Sequence, residues 1–242
     1  MANISGDEFS EFVKSRRSIR DFKPDPIPDE ILNRILDDAK WAPSWTNTQP
    51  YFLAITSGDK KDRIKAAYLK KYDESLPIQR REKFAKLKAL ITRKGLRDGD
   101  FDTTRPYPDS LLPYRRATGF GLYSLLGIKR NDYEARFAHF RKNYEFFGAP
   151  TVIFVFVHSG LHEFSIQDAG ILEQTIMLSA HANGLGTCAQ GSIATWVSPV
   201  KTEFEIPKDY KLISGIAIGF PSDNKVNSFN PGRREIDRNS GS

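Results

Sequence analysis

A single cysteine, Cys188, stands in the 242-residue chain, which excludes an internal disulfide and any cysteine-built metal cluster. Methionine occurs twice and histidine four times. His158 and His162 have i, i+4 spacing, but Gly160 lies between them at the end of a strand-like run, which argues against a helical zinc pair. His139 and His181 have no evident partners, so no metal site is expected. Nucleophile elbow and P-loop are both missing. The longest apolar run, Val152 to Val157, is far short of the ~20 residues that cross a bilayer. Met1 to Glu11 carries no apolar h-region of the kind a secretory signal needs. These absences predict no membrane partner and a cytoplasmic location. With no internal nucleophile or metal, the chemistry is expected to come from a cofactor.

What is present suffices for a core of ordinary size. Hydrophobic residues make up 39% and aromatics 12%, with 17 Phe, and the length fits one domain spanning residues 1–242. The net charge of +6, from 36 basic and 30 acidic residues, is mild. It suits an anionic small ligand or nucleic acid. No recognised nucleic-acid motif occurs and the acidic residues are spread throughout, so a nucleic-acid-binding module is the remote alternative and nucleic acid is not an expected partner.

Ser5 and Glu8 have capping-box spacing, and Phe9, Phe12 and Val13 follow on one helical face. A second helix is predicted from near Pro28 to Pro43, on the stripe Ile31, Leu32, Ile35, Leu36 and Ala39. Strands are predicted at 51–56, 151–158, 185–189 and 212–220. Helices are predicted at 59–72, 131–147, 165–183 and 198–204. The segment 165–183 is apolar almost all round, the pattern of a fully buried helix. Residues from about 73 to 130 are irregular, with two helices near 78–92 and 110–126, and read as an insertion or lid. The tally is α+β.

Three segments and a pair carry chemical signals. Arg16, Arg17, Ser18 and Arg20 offer three guanidiniums and a hydroxyl just after a helix, suited to a phosphate or equally to a solvated helix end. The loop Pro43 to Pro50 contains Trp45, with Asn47 and Gln49 as amide donors and acceptors; it would clamp a planar heterocycle or form a structural turn around a packed Trp. Gly184-Leu-Gly-Thr-Cys-Ala-Gln-Gly191 allows close backbone approach to a ligand, as glycines also do at ordinary strand entries. Arg233 and Arg234 form a basic pair that on its own faces solvent.

Taken in order, these pieces resemble the nitroreductase family of FMN-dependent oxidoreductases. The carrying stretches are Ser15-Arg-Arg-Ser-Ile-Arg-Asp-Phe22, Ala42-Pro-Ser-Trp-Thr-Asn-Thr-Gln-Pro-Tyr51, Gly184-Leu-Gly-Thr-Cys-Ala-Gln190 and Ile218-Gly-Phe-Pro221. The middle of the chain is similar to the nitrobenzoate-type branch through Tyr114-Arg-Arg-Ala-Thr-Gly119, Leu126-Gly-Ile128 and Phe146-Phe-Gly-Ala-Pro150. The resemblance implies a nitroreductase-like α+β fold, with a central mixed, mainly antiparallel sheet flanked by helices in an intertwined homodimer that binds FMN between subunits. It places Arg16, Arg17, Ser18 and Arg20 on the ribityl phosphate and pyrimidine edge, with Arg233 or Arg234 completing the phosphate site. Asn47 and Gln49 would reach polar edges of the flavin. Pro43, Ser44 and Trp45 would come from the other subunit, Trp45 also shaping the substrate pocket. Ala189, Gln190 and Gly191 would line the ring, and the helix from Ser165 would be the dimer contact. The implied reaction is ping-pong hydride transfer from NADH or NADPH to a nitroaromatic, quinone or similar small electron-poor acceptor, with no catalytic side chain required. Alternatives within the same resemblance are dehalogenation, azoline oxidation, flavin cleavage and non-catalytic FMN binding. The chain closes soon after the arginine pair, where the family runs into a longer tail, and residues 237–242 are expected to be disordered.

Overall fold

A computed structural model describes residues 4–237. The tail expected to be disordered lies outside the described residues apart from Asp237. The first helix, α1 (Gly6–Ser15), starts with the expected capping box, Ser5 and Glu8 each bonding the other's backbone N–H. It is followed by α2 (Asp29–Ala39), β1 (Tyr51–Ser57) and α3 (Gly58–Gln79). Next come α4 (Ala85–Thr92), α5 (Leu112–Leu126), α6 (Tyr133–Arg141) and β2 (Thr151–His158). The chain ends with α7 (Glu163–Ala182), β3 (Gly186–Gln190), the short α8 (Ser198–Lys201) and β4 (Tyr210–Gly219).

The four strands pair antiparallel in the order β1-β2-β4-β3. The parallel character is confined to one isolated bridge, Ser18 to Thr187, on the open edge of β3. β2 explains the layering. Its side chains alternate between two cores, Val152, Phe154 and Phe156 on one face and Ile153, Val155 and Val157 on the other. The first core is aromatic, built on Tyr68, Tyr72, Tyr144, Phe146 and Trp196; the second is aliphatic and lies under α2 and α7. Burial on both faces is why this strand reads as a continuous apolar run.

Several boundaries differ from those the sequence predicts. α3 runs on past Tyr72 through Pro77, because Ile64, Tyr68, Tyr72 and Leu76 continue one stripe into the aromatic core. The helix expected from 78 begins only at Ala85, since Arg81 and Phe84 take positive φ in the intervening turn. α6 starts at Tyr133, capped by Asp132, and ends at Arg141, short of the predicted 147, with Phe146 and Phe147 at positive φ in the turn before β2. α7 is not fully buried: Ser165, Asp168, Ala169, Leu172, Ile176, Ser179 and Ala180 face the core, whereas Phe164 and Ile166 are exposed.

Residues 73–79 belong to α3, and residues 95–103 form a strap fastened to the turn after β3. Asp98 accepts from the backbone N–H groups of Val197 and Ser198 and from the Ser198 hydroxyl, and the Gly99 N–H donates to the Thr195 carbonyl. The Trp196 indole donates to the Leu96 carbonyl at 3.0 Å. α5, by contrast, buries no residue in this chain.

Candidate cofactor site

The basic run is laid along the edge of β3. The Ile19 N–H donates to the Thr187 carbonyl at 2.9 Å, and Ile19 packs so tightly over Gly186 that a Cβ there would run into its side chain. Only glycine permits that approach. Asn227 holds the next residue, accepting from the Arg20 N–H at 2.8 Å while its amide donates to the Asp21 and Ser222 carbonyls. Ser15, at the end of α1, is 2.6 Å from the imidazole Nε2 of His181 near the C-terminus of α7. Arg16, Arg17, Thr187, His181, Pro221 and Asn227 thereby line a cleft of about 370 Å³.

The electrostatics of this cleft are unbalanced. Burial pushes the pKa of Arg16 down, and the charge of Arg233, from the other end of the chain, pushes it further. Burial likewise lowers His181, with Arg16 and Arg17 adding to the effect. Among the described residues no carboxylate pairs with Arg16, Arg17, Arg20 or Arg233. Arg234 differs: it pairs with Asp237 at 3.6 Å and lies over the Tyr114 ring at 5.1 Å. Arg20 sits over Phe229, 6.0 Å from its centroid.

β3 supplies the floor. Cys188 belongs to the aromatic core, so alternation turns Thr187 and Ala189 to the opposite face, and Ala189 is exposed in an otherwise buried strand. Gln190 points the other way: its amide donates to the Asn143 carbonyl at 2.7 Å, and its Oε1 is buried without a partner. Gly191 is exposed. Burial pushes the Cys188 thiol up to about 11, which makes it a poor nucleophile.

The loop Pro43 to Gln49 lies elsewhere. It makes a short 3-10 turn, Trp45–Asn47, in which Thr46, Asn47 and Gln49 all have positive φ. The Gln49 N–H donates to the Ser44 hydroxyl and the Gln49 amide to Asn47 Oδ1, both at 3.0 Å, so these residues form one unit. Pro43, Trp45, Asn47 and Gln49 are exposed and Ser44 is partly buried. The Trp45 ring lies against Phe164 with centroids 4.1 Å apart and a tilt of 45°, and the Trp45 backbone N–H donates to Asp168 in the first half of α7. Asp168 and His181 are about 20 Å apart along α7, at roughly 1.5 Å of rise per residue. Within one chain, therefore, the basic run and the tryptophan loop occupy opposite ends of α7 and do not meet.

Sequence reasoning gave no site role to Asn227, Thr187, Ser15, His181 or Asp168. Ser15 and Thr187 lie inside stretches that carry chemical signals, and Asp168 stands out as an aspartate in a nearly apolar helix. Asn227 and His181 reach the cleft only through tertiary packing.

The family model described as "Nitroreductase family" matches residues 13–220. A 4-nitrobenzoate reductase of Pseudomonas putida is 30% identical over 228 residues, covering 92% of this chain and 90% of its own. Nitroreductase NfnB of Mycolicibacterium smegmatis is 30% identical over 213 residues, covering 87% of this chain and 82% of its own. Among solved structures, the FMN- and NADPH-dependent nitroreductase NfnB from a Sphingopyxis strain superposes with a TM-score of 0.81 at 28% identity, covering 96% of this chain and 99% of that one.

Proposed function

Since the chain belongs to the nitroreductase family, we propose that it is an FMN-dependent NAD(P)H oxidoreductase that reduces nitroaromatic, quinone or similar electron-poor small molecules. One observation carries the assignment to this chain's own residues. Arg16 and Arg17 line the cleft beside β3, and among the described residues no carboxylate pairs with either, so the cleft calls for an anion. The residues present fit FMN: the guanidiniums of Arg16 and Arg17 in the cleft suit a phosphate, and Ala189, exposed on the strand that carries Thr187 of the cleft, suits a flat ring.

When bound, the flavin supplies the redox step, taking hydride from NADH or NADPH and passing electrons to the acceptor. Arg16, Arg17 and Arg233 bind the phosphate, with the Ser18 hydroxyl as a further donor. Arg233 takes this role rather than Arg234, which is engaged by Asp237 and Tyr114. Arg20 would add positive charge to the site, and that charge would favour negative charge developing on the cofactor during reduction. Ala189 and Gly191 line the ring, and Gln190 contributes its main chain, its side chain being tied to Asn143. The Pro43–Gln49 loop is supplied by a second copy of the chain. Its separation from the basic run, and the exposed Phe164 and Ile166 on α7, support a homodimer joined through that helix. Trp45 then covers the acceptor pocket and excludes water.

No helix among the described residues is long and apolar enough to cross a membrane. The lone buried thiol suits a reducing compartment such as the cytoplasm.

The test is the visible spectrum of the purified protein, repeated anaerobically with NADPH or NADH. Flavin absorbance that bleaches with nicotinamide and returns on adding a nitroarene is expected. A protein that stays colourless after incubation with FMN would overturn the assignment.

A further inference from the structure

Asp168 is one of the few ionisable side chains buried on the sheet-facing side of α7, with only 5% of its surface exposed. Its two carboxylate oxygens both lie 3.1 Å from the backbone N–H of Trp45, and among the described residues no cation pairs with it. A buried carboxylate with one N–H donor is costly to keep. The neighbouring Tyr51 hydroxyl is buried and unpartnered, and burial, with the Asp168 charge second, pushes its pKa up. The loop held by this bond is itself strained, with Thr46, Asn47 and Gln49 at φ of 47°, 56° and 48°. Non-glycine residues stay in that region only where their surroundings fix them, and such strain gathers at functional sites. A neutral turn would have sealed a merely structural corner more cheaply.

We propose that Asp168 is a positioning residue: it anchors the Trp45 N–H from α7 and so sets the pose of Trp45, Asn47 and Gln49 over the acceptor pocket. The role of the loop in that pocket rests on the function proposed above; the anchoring does not. Because Asp168 sits on the helix that also presents Phe164 and Ile166, the anchor joins the acceptor-facing loop directly to the element proposed to join the subunits. The phosphate cleft lies at the other end of α7 and should be insensitive to it.

The experiment compares Asp168→Ala and Asp168→Asn in a Trp41→Phe background. There, with Trp196 buried, acrylamide quenching reports mainly on Trp45. In the Ala variant, Trp45 should become more accessible to acrylamide even in the flavin-free protein. With FMN bound, the KM for the acceptor should rise about tenfold or more, the worth of one charge-assisted hydrogen bond, with a smaller change in kcat and in FMN affinity. Asn keeps one acceptor oxygen and should restore part of both. If Ala does not fold, the Asn variant carries the test, with an intermediate shift in quenching and KM expected. Unchanged quenching in a folded variant, or FMN affinity falling as steeply as acceptor binding, overturns the proposal. Failure of the wild-type protein to bind FMN would remove the functional reading while leaving the quenching arm decisive for the anchor.

Discussion

Burial lowers the pKa of Arg16 and the charge of Arg233 lowers it further, so an anion bound in the cleft would offset both effects. Replacing either by alanine should therefore have opposite effects on two measurements. FMN affinity should fall roughly ten- to a hundredfold, the loss of a charge-assisted bond of ~1.5–3 kcal/mol. The melting temperature of the flavin-free protein should hold or rise, since a like-charge interaction is relieved. Arg234→Ala should leave FMN affinity nearly unchanged, its partners being Asp237 and the Tyr114 ring. Fluorescence titration and thermal melts of the three variants check the whole set, and equal losses for Arg233 and Arg234 would refute the distinction. The basic run was legible in the sequence because guanidiniums cluster there. Choosing between the two C-terminal arginines was not, because it depends on contacts that only the fold creates, such as those of Arg234 with Asp237 and the Tyr114 ring.

At the scale of elements, the strap 95–103 is irregular, as the sequence predicts, but its attachment was not legible. Its bonds join side chains to backbone about a hundred positions away, as between Asp98 and Val197, and no periodicity announces such contacts. β2 and α7 were legible for the opposite reason, since burial against two neighbours imposes a continuous apolar run. Even so, α7 promised more burial than one chain supplies, because Phe164 and Ile166 are exposed. The strap also fixes the turn Gly191–Thr195, which leaves β3 beside the proposed ring site. A Cβ at Gly99 would overlap the Ala194 carbonyl oxygen, so Gly99→Ala must push strap and turn apart. A loss of roughly 1–3 kcal/mol is expected, typical of overpacking, seen as a lower urea midpoint. FMN affinity should fall with it. A variant as stable as the parent would mean the strap is only draped over the turn.

For the molecule as a whole, the aromatic core sets an alkaline limit. Tyr68, Tyr72 and Tyr144 pack within 5.8 Å of one another in the pairs Tyr68–Tyr144 and Tyr72–Tyr144, and Cys188 lies in the same core. Burial is the leading cause at all four: it raises Cys188 from 9.0 to about 11, Tyr144 from 10.0 to about 12, and Tyr68 and Tyr72 in the same direction. The Tyr68 hydroxyl also donates to the Ile193 and Trp196 carbonyls, bonds that require its proton. In the unfolded chain these groups ionise at their ordinary values, so above about pH 9 the native state holds more protons than the unfolded one. Stability from this source is complete below pH 9 and drains away as pH climbs towards 12. For Cys188 alone the gap amounts to roughly 2–3 kcal/mol at the alkaline end. Urea midpoints should accordingly be level from about pH 7.5 to 8.5 and fall steeply from pH 9 to 11.5, with a shallower fall in Cys188→Ala and in Tyr144→Phe. A profile that stays level to pH 11 would mean that these groups titrate in the folded protein much as they do in the open chain, and that the core admits water where the structure packs it shut.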